Sequence, residues 1–276
     1  MSQLTVATIR SLTIYPVKSC GGIALSQARL CSTGLEHDRR WMLVKSDGYF
    51  TTQRELPKMA LIQPQLQDQG IVVTAPGMPN LSVSGVNTSR SIEVGIWRDL
   101  CLAFDEGDDA ADWFSTYLQQ SLRLVRFNDE RLRLSSRDWT GELQAPNHFS
   151  DGYPILIISA ASLADLNERL IHPLPMNRFR PNIVIQDVDA YGEDRIDEMR
   201  IDEICLRLVK PCTRCKITTT NQETAVVEGD EPLLALTKYR RDLKLKGVTF
   251  GQNTVIVSGL GQSLRVGDQL GVTLKC

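Results

Sequence analysis

Along the first hundred residues, apolar and polar positions alternate in short runs. Segments 8–15, 40–46, 49–52, 71–74 and 91–97 are rich in β-branched and aromatic residues and are separated by turn formers. That pattern predicts half-buried strands. Ser46-Asp47-Gly48 is the clearest hairpin turn, because Asp-Gly supplies the positive φ of a tight connection and the flanking runs should then pair antiparallel. The period changes over 108–122, where Trp113, Phe114, Tyr117 and Leu118 cluster on one helical face behind the acidic start Asp108-Asp109. Acidic residues suit a helix N-terminus, and the segment reads as a helix.

Segment 129–150 is polar, carries Gly141 and Pro146, and follows neither period, which places a domain boundary in or just before it. A second unit follows. Segment 159–171 reads as a helix with Leu163, Leu166 and Leu170 on one face and Ser162/Asp165 as a pair resembling a capping box,. Strands are predicted at 182–185, 204–209, 254–257 and 272–274, and a helix opens at Glu231-Pro232, where proline suits the first turn,. The β-branched run 217–220 also reads as strand,. Strands outnumber helices and do not alternate with them as a doubly wound fold requires.

Composition narrows the function classes. A chain of 276 residues with 42% hydrophobic and 23% charged residues is an ordinary globular protein, long enough for two domains at roughly 100–200 residues each. The net charge of −2 offers no global basic field for nucleic acid or anionic membrane,. Any anion must therefore be held by local cations. The start Met1-Ser2-Gln3-Leu4-Thr5-Val6 lacks the basic and apolar regions of a signal peptide, and no apolar run nears the roughly 20 residues of a membrane helix. A cytoplasmic location is expected, with no membrane association. Cys20, Cys31, Cys101, Cys205, Cys212, Cys215 and Cys276 form an odd, scattered set, for which reduced thiols are the default.

Candidate chemistry concentrates in a few short segments. Lys210-Pro211-Cys212-Thr213-Arg214-Cys215-Lys216 sets two thiols among three cations, and nearby positive charge favours thiolate, the form that binds metal or attacks. A zinc site would need a second ligand pair, and His37, His148 and His172 stand at no ligand spacing from the cysteines,. A thioredoxin-type site belongs at a helix start after a strand, a context that the predicted strand at 217–220 does not supply. Tyr15-Pro16-Val17-Lys18-Ser19-Cys20-Gly21-Gly22 ends a strand in a glycine-containing turn. It suits a phosphate cradle, though taken alone an ordinary surface turn with a solvated lysine is the plainer reading. His37-Asp38-Arg39-Arg40-Trp41 offers two guanidiniums, of which one at most should face a site,; a structural ion pair with Asp38 is an equal alternative. Arg180 and Asn182 flank Pro181 at the edge of an apolar strand, and Ser150-Asp151-Gly152-Tyr153-Pro154 places a carboxylate in a turn. The orders Ser-His-Asp, G-x-S-x-G, H-E-x-x-H and G-x-G-x-x-G are absent, which argues against common hydrolases, zinc proteases and dinucleotide enzymes.

Taken in order, Tyr15-Pro16-Val17-Lys18-Ser19, Asp38-Arg39-Arg40-Trp41, Ser150-Asp151-Gly152-Tyr153-Pro154, Arg178-Phe179-Arg180-Pro181-Asn182, Pro211-Cys212-Thr213-Arg214-Cys215 and Phe250-Gly251-Gln252-Asn253 resemble the MOSC superfamily across nearly the whole chain. The likeness is to YcbX-like proteins and mitochondrial amidoxime-reducing components. It implies a mainly β fold with several helices (α+β), an N-terminal MOSC-type β-barrel domain over 1–125 and a MOSC β-barrel domain over 126–276. It also implies a molybdenum-pterin cofactor, with Cys215 as metal ligand and Lys18, Ser19, Arg39, Gly152, Tyr153, Arg180, Asn182, Thr213 and Arg214 at the cofactor. Asp151 is expected near the metal's open face as proton donor or substrate orienter. The implied activity is reduction of N-hydroxylated compounds by oxygen-atom transfer. The alternative is a carrier of the cofactor or of persulfide sulfur on Cys215. YcbX-like relatives often continue into a ferredoxin-type domain, whereas this chain ends at Leu274-Lys275-Cys276 without its cysteine cluster. Electrons are therefore expected from a separate donor protein of ferredoxin or flavodoxin type with its reductase. The thiol that the mitochondrial relative carries after its Arg-Pro-Asn motif has no counterpart in Ile185-Gln186-Asp187-Val188.

Overall fold

The structure, a computed structural model, describes residues 6–86 and 88–275. The N-terminal reading above rests on residues 1–5, and Cys276 is the last residue; both lie outside that range. Strand makes up 41% of the chain against 17% helix, so the protein is mainly β, as expected.

Seven strands close a barrel, in the order Ile155–Ser159, Ile183–Gln186, Val6–Ile14, Gln269–Leu274, Ile196–Ile201, Ile204–Thr213, Gly247–Ser258 and back to the first. Ala7, Ile9, Leu12, Ile14, Ile157, Ile183, Ile185, Leu206, Leu208 and Leu270 fill its interior. One pair is parallel, Ile155–Ser159 with Ile183–Gln186. Parallel neighbours need a crossover, and the helix Ala160–Glu168 provides it before the chain returns through Met176–Arg178 and Arg180-Pro181. The barrel joins both ends of the sequence: Val6–Ile14 pairs with Ile183–Gln186 and Gln269–Leu274, and Gln27–Cys31 pairs with Ser263–Arg265. The rest of the first half forms two antiparallel sheets. One runs Trp41–Val44, Arg123–Phe127, Asp99–Asp105 and Ser91–Ile96; the other joins Gln63–Gln67, Gly70–Thr74 and Leu81–Val83.

Several local expectations change in detail. The helix Asp108–Leu118 buries Ala110, Ala111, Trp113, Phe114 and Leu118 but stops four residues early, because Gln119 turns left-handed at φ 55°. Ser159, not Ser162, caps the next helix, its Oγ accepting from the Ala161 N–H at 3.1 Å. The Ser162 hydroxyl instead donates to the fully buried Glu193 carboxylate. The turn at Gly48 forms, at φ 76°, but segment 49–52 contributes only isolated bridges. The run 217–220 is no strand: Lys216–Thr219 is a short 3-10 helix, with the Thr218 and Thr219 hydroxyls donating to the carbonyls of Cys215 and Lys216. Side-chain hydroxyls that satisfy local carbonyls outweigh β-propensity here. Cys212 therefore lies at the end of the strand Ile204–Thr213, and Cys215 directly precedes a short helix.

The polar segment 129–150 is folded against the body of the protein rather than free. Arg133, 8% exposed, donates to the Asp99 carboxylate at 2.7 Å, Asn147 Oδ1 at 2.5 Å, and the carbonyls of His148 and Ser150 at 3.0 and 2.8 Å. That hub fixes the turn that begins at Ser150. Among the described residues, no helix is long and apolar enough to cross a membrane, which says nothing of membrane β-barrels.

Candidate active site

All eleven residues singled out by resemblance line one cleft of about 180 Å³: Lys18, Ser19, Arg39, Asp151, Gly152, Tyr153, Arg180, Asn182, Thr213, Arg214 and Cys215. They arrive from five separate stretches of chain. Val17 bridges Trp41 in parallel and the Lys18 N–H donates to the Trp41 carbonyl, so the Lys18-Ser19 and Arg39 turns sit side by side. The bulges between Leu208 and Lys210 and between Pro211 and Thr213 break the ladder with Gly247–Ser258 just where the cysteine segment reaches the cleft, and bulges re-aim side chains in this way. Ser19, Arg39 and Arg180 hold left-handed backbones at φ 65°, 47° and 56°. Such conformations cost a non-glycine residue about 1–2 kcal/mol and persist where the surroundings impose them.

The cleft is cationic. Lys18, Arg39, Arg180, Lys210 and Arg214 line it against one lining carboxylate, Asp151, while Asp38 behind it takes Arg39 Nη1 at 2.6 Å. The neighbouring arginines are spent elsewhere: Arg40 turns toward Asp129 at 3.7 Å, and Arg178 donates to the Thr219 carbonyl and pairs with Glu228. Lys18 Nζ donates to the Phe149 carbonyl at 2.8 Å and to Asp151 Oδ1 at 2.5 Å. Burial pulls the Lys18 ammonium below its usual pKa, partly offset by Asp151. Asp151 keeps 63% of its side chain exposed to the cleft, yet protein surrounds it. The resulting loss of hydration pushes its carboxyl up, but the Lys18 charge and hydrogen bond, Trp97 Nε1–H at 3.1 Å and the Arg39 charge outweigh this. The carboxyl is held well below the ordinary range. These partners favour the ionised carboxylate, the form suited to orienting a substrate.

The thiols differ. Arg214 spends Nη2 on the Phe179 carbonyl at 2.6 Å and Nη1 on Cys212 Sγ at 3.0 Å; Cys215, half-buried, is a free thiol that lines the cleft. Asn182 is committed to the fold, its side chain donating to the Thr13 carbonyl and accepting from the Leu156 N–H. Gly152 stands at φ 151°, with open space where a Cβ would project.

Three buried polar atoms of lining residues have no hydrogen-bond partner among the described residues: Arg180 Nη2, Arg214 Nε and Tyr153 OH. Unmet donors and an excess of positive charge around a free thiol fit an anionic ligand that carries a thiophilic metal. A molybdenum-pterin, with its phosphate and sulfur-rich metal, meets both conditions. Sequence reasoning had not assigned Lys210, Phe179 or Asn253 to the cleft wall, nor Trp97, which reaches Asp151 from the turn after Ser91–Ile96.

A β-barrel with a thiol-containing cationic cleft at its edge defines the class, and sequence comparison gives the family. The MOSC N-terminal beta barrel domain matches residues 6–121 and the MOSC domain matches residues 144–271. The chain belongs to the MOSC family, in the group of two-part proteins that includes the mitochondrial amidoxime-reducing components. It is 35% identical over 281 residues to mitochondrial amidoxime reducing component 2 of Rattus norvegicus, covering 95% of this chain and 82% of that protein. Component 2 and component 1 of Homo sapiens are likewise 35% identical, over 283 and 280 residues, with the same coverage. The solved YuaD protein of Bacillus subtilis aligns over 98% of this chain and 97% of that one at 12% identity, with a TM-score of 0.44, too loose a likeness to carry weight.

Proposed function

We propose that the protein is a molybdenum-cofactor oxidoreductase that removes oxygen from N-hydroxylated compounds such as hydroxylamines, amidoximes and N-hydroxylated bases. The observation that carries this reading is the convergence of Lys18, Arg39, Arg180 and Arg214 on a cleft that also holds the Cys215 thiol, with Arg180 Nη2 and Arg214 Nε buried there without a partner. The relatives' names, which describe amidoxime reduction, supply the reaction class.

Lys18, Arg39, Arg180 and Arg214 would bind the phosphate and oxygen atoms of the pterin, and the Cys215 thiolate would hold the metal. When bound, the cofactor supplies the two-electron couple for breaking the N–O bond. The net reaction takes two electrons and two protons, converting R–NH–OH to R–NH2 and water. Asp151, ionised and open to the cleft, would accept a hydrogen bond from the substrate's N–H or O–H and so orient it. The proton of the Lys18–Asp151 pair stays on Lys18 Nζ, so protons are drawn from water rather than from that carboxyl.

Electrons are proposed to come from a separate donor protein of ferredoxin or flavodoxin type, consistent with relatives named as a component of a reducing system. A reducing compartment such as the cytoplasm goes with this proposal, because the six described cysteines are all free,; cell fractionation tests the location. The function is tested by supplying purified protein with a chemical reductant and benzamidoxime or an N-hydroxylated purine. Reduced product is expected. Metal-replete protein that turns over none of these would leave the carrier role in its place.

A further inference from the structure

We propose that Tyr15 is a positioning residue for the anion-binding end of the cleft, its ring holding the guanidiniums of Arg39 and Arg180 together so that both act on one ligand. The inference rests on the cofactor reading above only for the identity of that ligand. Arg39 Cζ lies 4.4 Å and Arg180 Cζ 4.2 Å from the Tyr15 ring centroid, and Tyr15 is 4% exposed. The contact is reinforced from every part of the residue. The Tyr15 N–H donates to Asp38 Oδ1 at 2.8 Å, and the other oxygen of Asp38 accepts from Arg39. The Tyr15 carbonyl accepts from the Arg39 N–H at 2.9 Å. The Tyr15 hydroxyl donates to the carbonyl of Pro181, the residue after Arg180, at 3.2 Å. Arg39 Nη2 in turn donates to the Arg180 carbonyl at 3.3 Å.

Two guanidiniums this close repel, and both arginines hold left-handed backbones that would relax if released. A ring face offers each a compensating attraction, and Asp38 neutralises one charge. The remaining charge, with Arg180 Nη2 lacking a partner, is left for the ligand. The neighbouring glycine agrees: a Cβ at Gly22 would stand 2.6 Å from Tyr15 Cε1. Gly22, in the glycine turn that follows Lys18 and Ser19, thus makes room for the ring. An apolar side chain without a π-face would fill the volume but release the two cations.

The test compares wild type, Tyr15→Phe and Tyr15→Leu in two assays, with melting temperature as the check on folding. In the first, pterin released from the purified proteins is oxidised and measured by fluorescence per polypeptide. In the second, cofactor-stripped protein is titrated with inorganic pyrophosphate by calorimetry. Tyr15→Leu should lose about tenfold in both, the equivalent of roughly 1.4 kcal/mol, and Tyr15→Phe should restore most of that loss. If Tyr15→Leu does not fold, Tyr15→Met supplies the same contrast, since a flexible side chain fills irregular space. Equal behaviour of the Phe and Leu (or Met) variants in both assays overturns the proposal. Wild type that holds no pterin yet shows the pyrophosphate contrast would keep the role of Tyr15 and remove the cofactor reading.

Discussion

Arg180→Met separates a residue kept for a ligand from one kept for the fold. Arg180 is 8% exposed, its Nη2 has no partner, and its Nη1 makes only a long 3.5 Å contact with Gln222. Burial, aided by the Arg39 charge and opposed by Tyr15, pulls its pKa from the usual 12.5 down to about 10. It therefore stays charged at neutral pH. At 1.36 kcal/mol per pKa unit, that displacement corresponds to roughly 3 kcal/mol of destabilisation borne by the folded protein. Methionine of similar length removes the charge and forfeits a cation–π contact of about 0.5–2 kcal/mol. The cofactor-free protein should gain about 1–2 kcal/mol, which for a chain of this size raises the melting temperature by roughly 2–6 °C. In protein purified with its cofactor the sign should reverse, because ligand binding no longer stabilises the fold to the same degree. Urea and thermal unfolding of stripped and loaded samples measure both. A loss of more than about 1 kcal/mol in the stripped variant would refute the reasoning and make Arg180 a structural residue.

The other predictions are these. Cys215→Ser should abolish turnover of N-hydroxylated substrates, whereas Cys212→Ser should keep the metal; metal analysis with an activity assay distinguishes the two thiols. The depressed Asp151 carboxyl contributes stability that is present above the ordinary carboxylate pKa and lost as pH falls through its folded value,. Lys18→Met should therefore move the acid limb of a melting-temperature profile to higher pH, and an unchanged limb would remove Lys18 as the cause. Arg133→Met strands the carbonyls of His148 and Ser150, while Asn147 Oδ1 keeps the Ser150 hydroxyl at 2.9 Å; at about 1–3 kcal/mol for each unmet group, urea unfolding should report a loss of at least about 2 kcal/mol. Purified protein should not oxidise NADH or NADPH alone, and adding a compatible ferredoxin or flavodoxin with its reductase should start turnover.

Part of the strand pattern was legible because its signals are local: segments 8–15, 182–185, 204–209, 254–257 and 272–274 all fall in barrel strands, whereas Ile155–Ser159 and Ile196–Ile201 were not anticipated. The lining residues were reached through short ordered motifs such as Arg178-Phe179-Arg180-Pro181-Asn182 and the resemblance they carry. What stayed hidden depends on distant partners. The charge state of Asp151 is set by Lys18, 133 residues away, and by Trp97. How the polar segment 129–150 packs has no local signature, because Arg133 gathers the carbonyls of His148 and Ser150 from within it. Asn182 has the chemistry of a ligand contact, and its amide also bonds Thr13 and Leu156 on the two neighbouring strands. At 217–220 three threonines favour a strand by propensity, but the hydroxyls of Thr218 and Thr219 bond the carbonyls of a tight turn instead.

The central claim is that the cationic cleft holds a molybdenum-pterin through Cys215. It is tested most directly by measuring molybdenum and pterin per polypeptide in wild type and Cys215→Ala, both purified from cells with cofactor synthesis intact. Near-stoichiometric molybdenum and pterin are expected in the wild type, with loss of molybdenum in the variant. Wild type without molybdenum, stoichiometric zinc shared by Cys212 and Cys215, or a Cys215→Ala protein that keeps its full molybdenum would contradict it.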